Sequence, residues 1–167
     1  MIEIRFIEFN TIEESQQFIK ERYTNWLNEA NRLKENFDAL ERYAGNGYIA
    51  INEYLRTNST NAKWDEDKTA ELIQNILNYA GSIGKRIVLY RLISIEEFKE
   101  IECSSFFKPY HSKAFLSTSL TKIRARNEDN EIMLKLHAFS KTNGAPLKDV
   151  SGSYWEQEFL VNLNSKI

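Results

Sequence analysis

Two glutamates one residue apart, Glu156 and Glu158, are the side chains of this chain best suited to chemistry. They precede the apolar run Phe159 to Val161, which is typical of a buried strand. Side chains two positions apart in a strand share a face, so both carboxylates are predicted to point to one side and Gln157 to the other. Like charges this close resist burial unless a cation or a hydrogen-bond donor meets them. The pair therefore indicates either such a site or an ordinary solvated strand end.

Two further stretches place polar groups on predicted strands. Arg91 stands inside the apolar run Leu89 to Ile93, where an unpaired buried guanidinium would be costly. It is therefore expected to face a ligand or, if the strand lies at a sheet edge, solvent. The hydroxyls of Ser117, Thr118 and Ser119 follow an apolar pair. They can support a nearby carboxylate or sugar, or they can close the strand as turn formers.

Composition excludes several classes of function. The 167 residues carry a net charge of -2 without a long basic block, so nucleic acid and anionic membranes are not expected partners. Cys103 is the only cysteine, which excludes an internal disulfide and a cysteine-based zinc site. The two histidines, His111 and His137, lack partners at metal-ligand spacing, and no G-x-S-x-G motif accompanies them. Metal-dependent and serine-triad chemistry are therefore not expected.

The sequence predicts one soluble domain over residues 1–167. Hydrophobic residues make up 42% of the chain, which is long enough to bury its own core. The N-terminus lacks the apolar stretch of a signal peptide, and no apolar run approaches the length that spans a bilayer.

The first half of the chain has helical periodicity. Thr11 and Glu14 form a capping box that predicts the start of a helix, and Gly45-Asn46-Gly47 breaks the pattern. The predicted helices start at Thr11 and continue over 37–43, 48–56 and 65–80. This half, about 1–85, is therefore expected to be a helical lobe.

The second half changes to strand periodicity. A second capping box, Ser94 with Glu97, predicts a short helix to about residue 101. The stretches 120–130 and 140–155 are expected to be irregular. The predicted strands cover 86–93, 114–119, 131–139 and 156–162. Helices followed by strands favour an α+β domain whose β core spans about 86–167.

Three short motifs occur in an order that resembles a known enzyme family. They are Tyr90-Arg91, Ser117-Thr118-Ser119 and Glu156-Gln157-Glu158, each on a predicted strand. Together they resemble the arginine-type mono-ADP-ribosyltransferases, typified by the enzymatic components of clostridial binary toxins such as iota toxin. The stretches Tyr43 to Tyr48 and Ile51 to Arg56 resemble a helix-loop-helix segment of those enzymes. The resemblance implies their fold, in which N-terminal helices pack on a two-sheet antiparallel β core.

The resemblance also implies the reaction. The protein would use NAD as co-substrate, without a metal, break the bond between nicotinamide and ribose, and join ADP-ribose to an arginine of a target protein. Glu158 would hold the ribose 2′-hydroxyl and face the developing cation. Ser117 would orient Glu158, and Glu156 would pair with the incoming arginine and help to remove its proton.

The remaining residues of the motifs are implied to bind the substrates. Arg91, beside Tyr90, would bind the pyrophosphate of NAD, for which a planar guanidinium is suited. Thr118 and Ser119 would line the nicotinamide pocket. Tyr154 and Trp155 would contact the target protein, or alternatively anchor their loop to the core. Actin is one target that the resemblance allows, and it implies a secreted or delivered toxin or effector.

Two departures from the family pattern keep other functions open. Leu92 follows Arg91 where many relatives have glycine, and the stretch 120–130 lacks an aromatic residue to stack on nicotinamide. One alternative is an NAD glycohydrolase that uses the same site with water as acceptor. The other is a catalytically silent interaction module.

Overall fold

Helices come first along the chain and most strands follow, as the change of periodicity predicts. The computed structural model describes residues 5–32, 34–59, 65–104, 112–122, 131–147 and 157–163. The helices are α1 (Ile12–Arg32), α2 (Lys34–Arg42), α3 (Tyr48–Thr57), α4 (Glu66–Ala80) and α5 (Ile95–Ser104). The strands are β1 (Ile87–Ser94), β2 (Leu116–Ser119), β3 (Glu131–Ala138), β4 (Gly144–Pro146) and β5 (Glu158–Val161).

Helix α1 begins with the predicted capping box. The backbone N–H of Glu14 donates to the hydroxyl of Thr11 at 3.2 Å, and the N–H of Thr11 donates to the Glu14 carboxylate at 3.4 Å. These bonds satisfy two of the backbone groups that a helix start leaves without partners.

A kink separates α2 from α3 at the predicted break. Tyr43–Gly47 forms a single π-helical turn, inside which Gly45 has a non-helical ψ of -124°. A Cβ at Gly47 would lie 2.5 Å from the carbonyl oxygen of Arg42, so the chain can turn this tightly only with glycine there.

Aromatic side chains join the helices to the sheet. Tyr23 of α1 contacts Phe159 of β5 with ring centroids 5.8 Å apart, and Tyr43 contacts Phe115 at 5.7 Å. All four side chains are fully buried, and burying each contributes on the order of 2–3 kcal/mol. The helical lobe therefore packs on the part of the sheet that contains β2 and β5.

The described strands form one sheet in the order β3-β1-β2-β5-β4, and every neighbouring pair is antiparallel. Strand β4 lies within 140–155, which the sequence predicts to be irregular, so that prediction is wrong for Gly144–Pro146. Its three residues pair with β5 at the sheet edge, where a proline such as Pro146 is tolerated.

The sheet is joined weakly in its middle. β1 pairs with β3 through eight residue pairs, whereas β1 and β2 share the single pair Tyr90 and Ser119. The N-terminal segment lies alongside β1 and the residues that follow β2, through parallel bridges from Ile7 to Ile87 and from Phe9 to Thr121. The family resemblance predicts two sheets, whereas the described strands form one. Its two parts, β3-β1 and β2-β5-β4, are connected through the pair of Tyr90 and Ser119.

In the part of the chain that the structure describes, none of the helices combines the length and apolar character required to cross a bilayer.

Candidate active site

Ser117 and Glu158 form the centre of the candidate site. The hydroxyl of Ser117 donates to Oε1 of Glu158 at 2.7 Å. Pairing of β2 with β5 places Ser117 opposite Leu160, so Glu158 lies diagonally across from it on the neighbouring strand. Both side chains are partly exposed. The hydroxyl therefore orients a carboxylate that a ligand can still reach.

Arg91 lies beside this pair. Strand β1 has β3 on one side and β2 on the other, so the interpretation of Arg91 as an edge-strand residue is wrong. One terminal nitrogen of its guanidinium donates to the backbone carbonyl of Ser117 at 2.9 Å. Its buried Nε has no acceptor among the described residues. The guanidinium thus binds the same residue whose hydroxyl orients Glu158.

Glu97 holds the other side of the Arg91 guanidinium. Its carboxylate accepts a hydrogen bond from the second terminal nitrogen at 3.1 Å, and the Arg91 side chain is 20% exposed. The sequence predicts Glu97 only as half of a capping box. The serine half is present, because the backbone N–H of Glu97 donates to Ser94 Oγ at 3.1 Å. The sequence signal for this ion pair is the six-residue spacing of Glu97 from Arg91, which by itself does not show that the two side chains meet.

Tyr43 and Asn52 form a buried hydrogen-bonded pair in the helical lobe. The amide of Asn52 donates to the hydroxyl of Tyr43 at 3.0 Å, and both side chains are buried. Burial is the main cause that raises the pKa of Tyr43 above its ordinary value, whereas the Asn52 bond and the charge of Arg91 lower it and the charge of Glu158 raises it. Both residues lie in the stretches that carry the helix-loop-helix resemblance, which does not assign them to the site.

Tyr90, Thr118 and Ser119 have hydroxyls bound to protein groups. Tyr90 donates to Glu8, which also accepts from Lys135 at 2.6 Å. Burial, followed by the bond to Glu8, raises the pKa of Tyr90 to about 12. Thr118 donates to the carbonyl of Phe159 at 2.6 Å, and Ser119 donates to that of Thr121 at 2.7 Å. Of the six predicted site residues that are described, the structure brings Arg91, Ser117 and Glu158 into one cluster.

Glu156, Tyr154 and Trp155 lie outside the described residues, so their predicted roles stay predictions. Over the described ranges, no group of three or more His, Cys, Asp and Glu side chains is placed to hold a metal ion.

The cluster can serve two kinds of chemistry at once. A carboxylate fixed by a hydroxyl can stabilise a positive charge that develops beside it. A guanidinium whose position is set by a carboxylate and a carbonyl retains further N–H groups for a diphosphate. The residues present therefore fit a substrate that carries a diphosphate and reacts through a cationic sugar.

Comparison with known proteins identifies a family model and several solved structures. The model described as ADP-ribosyltransferase exoenzyme matches residues 15–167. Among curated proteins no match was found.

The solved structures share the fold at low sequence identity. BECa, an ADP-ribosylating toxin of a C. perfringens binary enterotoxin crystallised with NADH, has 22% identity and a TM-score of 0.79 over 96% of this chain. The C2-I component of the Clostridium botulinum C2 toxin has 22% identity and a TM-score of 0.74 over 96%. The Clostridium limosum C3 exoenzyme has 18% identity and a TM-score of 0.72 over 96%. The chain spans 43% of BECa and of C2-I and 86% of the C3 exoenzyme. These likenesses confirm the predicted fold.

Proposed function

Because the chain belongs to the ADP-ribosyltransferase exoenzyme family, as its motifs predict, we propose that it cleaves NAD and transfers ADP-ribose to an arginine of a target protein. The observation that supports this most directly is the 2.7 Å bond from Ser117 to Glu158, with Arg91 bound to the carbonyl of the same serine.

In the proposed reaction, the bond between the ribose C1′ and the nicotinamide nitrogen breaks, and its electron pair leaves with nicotinamide. The ribose gains oxocarbenium character, which the carboxylate of Glu158 stabilises in its fixed orientation. Arg91 binds the diphosphate and so holds the ribose in register with Glu158.

The second half of the reaction forms the bond to the acceptor. A guanidine nitrogen of the target arginine attacks C1′ and loses a proton, which Glu156 accepts in this proposal. The family resemblance implies arginine as the acceptor because a glutamate stands at position 156, where relatives that modify asparagine or glutamine have glutamine. A carboxylate there can pair with the incoming guanidinium, which an amide cannot do with the same strength.

Tyr154 and Trp155 are proposed to contact the target protein next to Glu156. We also propose that the protein acts as a toxin or effector on a protein of another cell.

The experiment that tests the function offers NAD and two matched peptides to the purified protein. One peptide carries a single arginine, and the other carries lysine at that position. We expect nicotinamide release together with ADP-ribose attached to the arginine peptide alone, measured by chromatography and mass spectrometry.

The two alternative functions give different results in the same experiment. A glycohydrolase releases nicotinamide and free ADP-ribose at the same rate with or without either peptide. A catalytically silent module releases no nicotinamide, and its melting temperature does not rise with NAD, whereas a bound ligand must raise it by mass action.

A further inference from the structure

Gln157, the residue between the two glutamates, is fully buried against α1. Its side-chain Oε1 lies 3.0 Å from the hydroxyl of Ser15, which is also fully buried. The same hydroxyl lies 2.8 Å from the carbonyl of Ile12 and can donate to either oxygen. Polar groups at this depth persist where their hydrogen bonds are made. The contact therefore ties the segment that enters β5 to the first turn of α1.

The backbone at Gln157 departs from strand geometry. Its φ is +43°, a left-handed value that is unfavourable for a residue other than glycine. The N–H of Leu120 donates to the carbonyl of Gln157 at 3.1 Å, and that of Leu147 donates to the carbonyl of Glu158 at 2.9 Å. Such a conformation persists when its surroundings fix it. The turn thus sets the direction in which Glu158 leaves the backbone.

We propose that Gln157 and Ser15 form a positioning device that holds Glu158 within bonding distance of Ser117. The Gln157 side chain is bonded to Ser15 and its residue directly precedes Glu158 in the chain, so Gln157 acts through the backbone and does not need to touch the Glu158 carboxylate. The proposal rests on the proposed function, because it treats Glu158 as the catalytic carboxylate.

Ser15→Ala tests the device from the helix side, leaving the sequence around Glu158 intact. Alanine favours the helix, so α1 is retained. We expect kcat for nicotinamide release to fall about tenfold with KM for NAD within twofold, because misplacement by about 1 Å can cost up to about 10²-fold. Gln17→Ala, an exposed position on the same helix, is the matched control and is expected to keep the wild-type kcat.

A double-mutant cycle separates positioning from a general loss of structure. If Ser15 acts through Glu158, then Ser15→Ala has little further effect on kcat in a Ser117→Ala background. Additive effects of the two substitutions, or recovery of kcat at a lower temperature, would show that Ser15 contributes only to folding.

Gln157→Asn tests the side-chain contact separately from the backbone turn. Asparagine accepts a left-handed φ but is one methylene too short to reach Ser15 in the same way. We expect it to reproduce the loss seen in Ser15→Ala, and a wild-type kcat would overturn the role of the contact.

A crystal structure of Ser15→Ala tests the device without turnover. We expect the separation of Ser117 Oγ and Glu158 Oε1 to increase beyond about 3.2 Å, outside normal hydrogen-bonding range. An unchanged 2.7 Å would refute the proposal. If the wild-type protein releases no nicotinamide, the proposed function fails, while this structural comparison still decides the positioning.

Discussion

The carboxylate of Glu158 and the guanidinium of Arg91 are each held in place by a hydrogen bond to Ser117. The hydroxyl of Ser117 donates to the Glu158 carboxylate, and the carbonyl of Ser117 accepts from the Arg91 guanidinium. A single residue therefore couples the group proposed to face the ribose to the group proposed to bind the diphosphate, and a small shift of β2 would move both.

Substitution of the two glutamates should separate their roles. Glu158→Gln can still accept a bond from Ser117 but offers no net charge to a developing cation. We expect nicotinamide release to fall at least about 10²-fold while the melting temperature is retained. Glu156→Gln should cripple transfer to arginine and spare much of the NAD hydrolysis. Both activities are measured by chromatography of nicotinamide and of the modified peptide, and equal loss of both in the two variants would contradict this division.

Glu97→Gln should weaken NAD binding through Arg91. The substitution keeps the size of the side chain and removes the charge that pairs with the guanidinium at 3.1 Å. We expect KM for NAD to rise by up to about tenfold, with a smaller change in kcat, because Arg91 loses its fixed orientation. Glu96→Gln, at the neighbouring exposed position of α5, is the control. A lower KM in Glu97→Gln would show that Glu97 instead competes with the diphosphate.

Among the elements, β4 depends on close backbone approach. A Cβ at Gly144 would lie 2.6 Å from a ring carbon of Phe159 and 2.8 Å from the carbonyl oxygen of Leu160. Gly144→Ala should therefore lower the free energy of unfolding by about 1–3 kcal/mol, measured by urea denaturation. Asn143→Ala, the adjacent and partly exposed position, should change it by no more than about 0.5 kcal/mol. Equal free energies of unfolding for the two variants would show that β4 can shift to accommodate the alanine side chain.

The elements that sequence predicts best are those whose signal is local. The Thr11 capping box and the glycine break near Gly45 each act within one turn, and both are present in the structure. The sequence does not predict strand β4, because its glycine and proline disfavour strands and its three residues are too few to show an alternating pattern. Glu97 was assigned to a cap because sequence spacing does not show that a guanidinium, a stronger partner than a backbone amide, lies within reach.

The candidate site was predictable only in part for the same reason. Motif order indicates Arg91, Ser117 and Glu158, and the structure brings these three together. The contact of Tyr43 with Phe115, just before β2, depends on how the helical lobe packs on the sheet, which no local pattern determines.

For the molecule as a whole, buried tyrosines predict loss of stability at high pH. Burial raises the pKa of Tyr23 and Tyr43, and burial with the Glu8 bond raises that of Tyr90 to about 12. The unfolded chain loses these protons near pH 10.0 while the folded chain retains them, so the free energy of unfolding should fall as the pH rises from 10 through 12.

A spectroscopic titration measures this effect. Of the eight tyrosines, at least three should form phenolate only as near-ultraviolet circular dichroism is lost. In denaturant all eight should titrate together, which serves as the control. Full ionisation with the dichroism intact would contradict the assignment.

Ser15 and Gln157 stand 142 positions apart in the chain. Closing a loop of that length is entropically costly, so we expect this contact to form late in folding. A refolding molecule should regain helical dichroism before it regains the proposed NAD cleavage, because Glu158, the proposed catalytic residue, stays unoriented until this contact has formed. We therefore expect the proposed activity to return last when the denatured protein is refolded, measured as nicotinamide release against helical dichroism.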